Sequence, residues 1–194
     1  MLRSGLRSFN QEVRIVGECT YAGLTIRVVV GDLLHITCDA IVNPSNTALY
    51  LGSGVSGAIR QRGGPTIQRA LDRIGSVGHC DAVRTAPGEL TNCHAIIHAA
   101  VISHQTEGPC IRRATTNVLI TAEHFGDATV AFPALGTGVG RVKPAVAAQE
   151  MLAGIADFCQ VIPEPRVVRT VIIALYETEL VGALEQALQR LTAP

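Results

Sequence analysis

The sequence predicts an α/β fold: a three-layer α/β/α sandwich around a mixed, largely parallel central sheet. Three observations lead there. Short runs of β-branched and aliphatic residues recur along the 194 residues. Stretches of helical length and periodicity separate most of them, as parallel crossovers require. No internal repeat, low-complexity tract or linker interrupts the pattern. A single domain over residues 13–194 is therefore expected, behind a disordered leader at residues 1–12.

Val13–Glu18 and Leu24–Val30 flank the turn-like Tyr21-Ala22-Gly23 and read as a hairpin or adjacent strands. Ala40–Asn43 is too short and apolar for a helix. Gly54–Arg62 and Pro65–Ile74 read as helices, with Pro65 suited to a first turn and Gly63 and Gly75 to helix ends. Ala82–Thr85 and Ala95–Val101 are expected strands. Ile111–His124 places Ile111, Ala114, Val118 and Ala122 on one helical face. A buried strand at Thr129–Leu135, an Ala-rich helix at Pro144–Phe158, a strand at Arg166–Tyr176 and an amphipathic helix at Leu180–Leu191 complete the chain.

Composition narrows the function. Sixteen Lys plus Arg balance sixteen Asp plus Glu, so the formal net charge is zero. A nucleic-acid clamp normally carries basic excess, so nucleic acid is not an expected partner. A hydrophobic fraction of 47% excludes a disordered chain. No apolar run is long enough to cross a membrane, and no secretory signal is visible. A cytoplasmic monomer is expected.

The six cysteines form no CxxC pair and several sit in apolar runs, which suits reduced, buried thiols. One arrangement, His79-Cys80 with Cys93-His94, offers four soft ligands for zinc, but its spacing fits no common zinc pattern. Two strand or loop ends are the simpler reading. No metal or cofactor is expected.

Two glycine-rich segments carry the chemistry. Gly52-Ser-Gly54-Val-Ser-Gly57 matches G-x-G-x-x-G, but it does not follow its strand at once as a dinucleotide fingerprint does. It contains no Lys and no GxxxxGK[ST], which argues against an NTPase loop. Glycines followed by a helix still make an anion site, because backbone can approach closely and the first-turn amides are unpaired. A tight turn with glycine-mediated packing is the alternative. Thr129–Leu135 then runs into Gly136-Thr137-Gly138-Val139-Gly140, with a helix to follow. Two such loops at strand carboxyl ends would clasp a diphosphate with uncharged amides, and Thr137 would add a hydroxyl donor. Asp32 ends one strand and would accept from an exocyclic amine; a turn or helix cap is its alternative role. Tyr176 ends another and would stack on a flat base; an ordinary surface aromatic is its alternative.

Gly31-Asp32-Leu33, Asp39–Asn46, Gly52–Ile59, Ala95–Ala99 and Phe132–Gly140, in this order and at this spacing, resemble the macrodomain family. The resemblance covers Val13 to Leu191. It implies a mixed sheet between helices and ADP-ribose as ligand. By resemblance, Asp32 and the Leu33 amide would hold adenine, Tyr176 would stack on it, and Asn46 would reach the distal ribose. Gly52, Gly54 and Val55 would line the first phosphate loop, and Gly136, Thr137, Gly138, Val139 and Gly140 the second. Asn43 would be a structural hydrogen-bonder.

Two departures from the family pattern matter most, and Pro44 is a lesser third. A hydrolytic branch has a water-activating Asp where this chain has Ser56, a far poorer base. Many relatives place an aromatic where this chain has Gly140. Pro44 replaces the usual Ala and stiffens the loop bearing Asn46. The resemblance thus implies a binder of ADP-ribose, free or as a mono-ADP-ribosyl group on protein. The alternative is a hydrolase that removes ADP-ribose from acidic side chains or deacetylates O-acetyl-ADP-ribose, with Asn46 orienting the ribose. A poly-ADP-ribose or RNA binder is opposed by the low charge.

Overall fold

A computed structural model describes residues 13–103, 110–176 and 179–192; the expected leader lies outside them. The elements run β1 (Arg14–Tyr21), β2 (Leu24–Val30), a 3-10 turn (Leu33–His35), β3 (Ala40–Asn46), α1 (Gly54–Gly63), α2 (Pro65–Ile74) and β4 (Ala82–Thr85). They continue with β5 (Ala95–Ile102), α3 (Ile111–Phe125), β6 (Thr129–Pro133), α4 (Pro144–Val161), β7 (Thr170–Leu175) and α5 (Glu179–Thr192). The sheet order is β1-β2-β7-β6-β3-β5-β4. The β1/β2 and β4/β5 pairs are antiparallel, and the four inner pairings are parallel. This is the mixed, largely parallel sheet that the alternating pattern predicts.

Strand periodicity divides the core into two layers. Ala40 and Val42 of β3, Val130 and Phe132 of β6, and Val171 and Ile173 of β7 pack with α3, α4 and α5. Ile41, Ala131 and Ile172, each one residue out of step, pack with α1 and α2 instead. Inner strands buried on both faces are apolar at nearly every position, and β5 reads Ala95-Ile-Ile-His-Ala-Ala-Val-Ile102 with His98 its one polar residue.

Several strands depart from their expected limits, and β1 runs on past Glu18 to Tyr21, into the expected turn. β3 continues past Asn43 to Asn46, through Pro44. Its pairing with β6 covers only Ala40 and Ile41, so a proline further on removes no bond to β6. β6 ends at Pro133 rather than at Leu135. β7 starts at Thr170 rather than at Arg166. There the Glu123 carboxylate accepts from the Val167 and Val168 amides at 2.8 and 2.9 Å, so a side chain takes donors that a ladder would use.

The expected cysteine chemistry is corrected at one pair. Cys80 and Cys110 form a disulfide with Cα atoms 5.8 Å apart, so these two are not reduced thiols. The zinc grouping of His79-Cys80 with Cys93-His94 does not assemble. Cys80 belongs to the core layer under α3, whereas Cys93 belongs to the opposite layer.

Candidate functional site

The carboxyl ends of β2, β3, β6 and β7 converge on one side of the sheet, where β2 runs on into Gly31-Asp32 and β7 into Tyr176. Two adjoining cavities open there. One of about 220 Å³ lies between Gly54-Val55 and the loop Gly136–Gly140, with Pro44, Val101 and Ile102 also lining it. The other, of about 360 Å³, reaches Asp32, Leu33 and Ala58. Gly54, Val55, Pro133, Ala174 and Tyr176 line both, so the two form one continuous cleft.

Each glycine loop has a local reason for its shape. α1 begins at Gly54, and Ser53 before it makes no side-chain cap. Its first-turn amides have no intrahelical acceptor and lie at the positive end of the helix dipole. Gly57 lets this turn close on the loop: a Cβ there would stand 2.9 Å from the Gly52 carbonyl oxygen. In the second loop a Cβ on Gly140 would stand 2.7 Å from the Gly136 carbonyl oxygen. The aromatic that many relatives carry does not fit this compact bend. Among the described residues no Lys or Arg lines either cavity, so an anion here would meet amides rather than cations.

At the Asp32 end of the cleft, both carboxylate oxygens of Asp32 are engaged. Oδ1 accepts from the Leu34 amide at 3.0 Å, capping the 3-10 turn. Oδ2 accepts from the Arg62 guanidinium at 2.8 Å, and Arg62 also contacts the His35 ring at 2.8 Å. The cap and the Arg62 contact do not exhaust the carboxylate, because each oxygen has a second lone pair. Tyr176 is 66% exposed at the rim, which leaves its ring open to stacking. Partial burial and then the charge of Asp32 raise its phenol above the ordinary tyrosine value.

Three expected residues are placed differently from the rest. Asn46 does not line the cleft. Its amide is closed onto the Tyr50 backbone, donating to the carbonyl at 3.2 Å and accepting from the N–H at 3.3 Å. Gly52 also stands outside the lining, as the carbonyl under Gly57. The Thr137 hydroxyl donates to the Ala134 carbonyl at 2.9 Å and so shapes its own loop.

Ser56 faces inward. It is 6% exposed and donates to Asn43 Oδ1 at 2.8 Å, with Pro44 O at 3.1 Å. Asn43 thereby turns Nδ2 toward His98 Nδ1 at 3.0 Å, and His98 Nε2 lies 2.9 Å from the Thr85 hydroxyl. This order assigns His98 as the Nε2–H tautomer, donating to Thr85. Burial pushes its pKa down to about 3, so it is neutral. The Ser56–Asn43–His98–Thr85 chain ties α1 to β3, β5 and β4. Its sequence signal is one polar residue inside the apolar β5 run. Arg62, which sequence reasoning missed, carries no comparable signal.

The sequence profile of the Macro domain family matches residues 42–151. Over 168 residues the chain is 33% identical to an uncharacterized protein of Aquifex aeolicus, covering 85% of this chain and 98% of that one. It is 34% identical over 149 residues to the O-acetyl-ADP-ribose deacetylase of Cronobacter turicensis, covering 73% and 84% of the two. Its fold matches the Oceanobacillus iheyensis macrodomain with ADP at a TM-score of 0.79 and 23% identity, covering 93% of this chain and 97% of that one. The profile match spans both glycine loops and the strands that carry them, and the chain belongs to the Macro domain family.

Proposed function

We propose that this chain binds ADP-ribose, free or as a mono-ADP-ribosyl group on protein. The observation that carries the reading is the continuous cleft, with two facing glycine loops at one end and Asp32 with Tyr176 at the other. The diphosphate lies between the α1 first-turn amides and the Gly136–Gly140 loop. The adenine lies against Tyr176, its amine toward Asp32. The ADP of the Oceanobacillus structure and the O-acetyl-ADP-ribose of the Cronobacter enzyme are of the same chemical class. A cytoplasmic, monomeric protein goes with this reading. Amide resonances of Gly54, Val55, Gly138 and Val139 should shift together when ADP-ribose is added, and shifts confined to other surfaces would refute the assignment.

A second reading, ester hydrolysis at the distal ribose, is favoured by the 34% identity to a deacetylase of O-acetyl-ADP-ribose. Ser56 supplies no base to it, since its hydroxyl is spent on Asn43 and Pro44. Water would have to be positioned by ligand and backbone. Asn46 would need to leave Tyr50 to orient the ribose. Release of acetate from O-acetyl-ADP-ribose, lost in Asn46→Ala, supports the enzyme; no release over hours leaves a binder.

A further inference from the structure

The cysteine pair beside the cleft is not used by the reading above. Cys80 precedes β4, Cys110 caps α3, and the His79 ring lies next to both. One ligand atom from each falls within 4.8 Å of the other two. Cys80 is held at a φ of 76°, a left-handed conformation that a non-glycine residue rarely adopts. Its N–H donates to the Ala100 carbonyl at 3.0 Å, and its carbonyl accepts from Asn117 Nδ2 at 2.9 Å. The Cys110 N–H donates to the Val101 carbonyl at 3.3 Å. His79 Nε2 lies 3.3 Å from that same oxygen. The end of β5 therefore seats all three residues.

These contacts resemble the supporting shell of a metal site. A ligating histidine commonly contacts a backbone carbonyl through its other ring nitrogen, and the His79 ring lies against the Val101 carbonyl. Cys110 stands at the amino end of the 15-residue helix α3. Two thiolates and an imidazole suit a d10 ion of borderline softness. Bonds of about 2.0–2.3 Å around a tetrahedral zinc place ligand atoms roughly 3.5 Å apart, within reach of small side-chain rotations from this arrangement.

We propose that the dithiol form of this cluster binds Zn2+ through Cys80 Sγ, Cys110 Sγ and a ring nitrogen of His79. The disulfide form excludes the ion, and a dithiol reductant converts one into the other. Its thiolate attacks one sulfur, the Cys80–Cys110 bond breaks, and its second thiol displaces the mixed disulfide. Two electrons and two protons pass to the cysteines, and the reductant leaves as its own disulfide. Zn2+ then replaces the two thiol protons, and the fourth position stays open to water. Either form fastens the turn before β4 to α3, next to Val101 and Ile102 of the cleft wall. Cys38 and Cys93 do not compete, since burial pushes their thiols up to about 12 and about 11.

The test uses the full chain, reduced with dithiothreitol, desalted without oxygen and titrated with Co2+ and then Zn2+. One equivalent of Co2+ should bind with a near-ultraviolet thiolate-to-cobalt band that Zn2+ abolishes, and the oxidised chain should take up none. Cys110→Ser should lose the band. His79→Gln keeps both thiols and should weaken Co2+ binding by roughly tenfold or more. The double variant Cys38→Ser/Cys93→Ser should titrate like the wild type. No band in the reduced wild type, a band retained in Cys110→Ser, full affinity in His79→Gln, or equal uptake before and after reduction would each overturn the proposal. None of these outcomes depends on ADP-ribose binding.

Discussion

The Arg62 guanidinium donates to Asp32 Oδ2 at 2.8 Å, across 30 residues of sequence, and the same carboxylate bounds the larger cavity. The pair joins α1, which starts at the first glycine loop, to the 3-10 turn beside the larger cavity. Both partners are part-exposed, with side chains 40% and 22% accessible, so their attraction contributes no more than about 1 kcal/mol to stability. The proposed role of Asp32 is toward a ligand amine. Asp32→Ala should weaken ADP-ribose by about tenfold or more, as loss of a hydrogen bond to a charged acceptor does. Its hypoxanthine counterpart, which has no amine, should lose less. Equal losses in a binding titration would remove the role assigned to Asp32.

The buried chain through His98 makes stability depend on pH. The folded pKa of about 3 lies below the ordinary 6.5 because burial disfavours the charged ring. Between these values the unfolded chain takes up a proton that the folded chain refuses. The contribution is complete above pH 6.5 and is lost as pH falls toward 3, with a slope of about 1.4 kcal/mol per pH unit. Urea unfolding of His98→Gln should show a shallower acid slope than the wild type. Parallel slopes would show that His98 titrates alike in both states.

Ser56 is a donor facing two acceptors. Ser56→Asp puts an acceptor-only carboxylate against Asn43 Oδ1 and the Pro44 carbonyl, in a site only 6% exposed. The variant should lose about 3 kcal/mol at neutral pH and regain part of it on acidification, when the carboxyl can donate. It should gain no esterase activity. Unchanged thermal stability at pH 7 would mean that this side chain turns outward.

Gly57→Ala tests the first loop. The new Cβ meets the Gly52 backbone oxygen at 2.9 Å, and backbone gives way less readily than a flexible side chain. The loop must shift, with a loss of about 1–3 kcal/mol and roughly tenfold weaker ADP-ribose binding. Wild-type affinity in this variant would separate the loop's shape from ligand binding.

The layered sheet is legible in the sequence because inner parallel strands must be apolar nearly throughout and helices must cover both faces. Both glycine loops are legible for a local reason, since each lies between a strand and a helix. Long-range pairings are not. Arg62 meets Asp32, and Cys80 meets Cys110 rather than Cys93, only because of where α1 and α3 cross the sheet. Residue type alone also misplaces orientation. Asn46 lies in the right loop, yet its amide satisfies the Tyr50 backbone. Thr137 lies in the right loop, yet its hydroxyl serves Ala134. The limits of β7 fail for a related reason: Glu123, far away in sequence, takes the amides of Val167 and Val168.

The central claim is that two amide-lined bends grip a diphosphate while Asp32 and Tyr176 read the base. Isothermal titration calorimetry with ADP-ribose and with AMP tests it most directly. The account predicts dissociation constants of roughly micromolar order for ADP-ribose and much weaker binding of AMP, which cannot bridge both loops. Equal affinity for the two, or no heat from either, would contradict it.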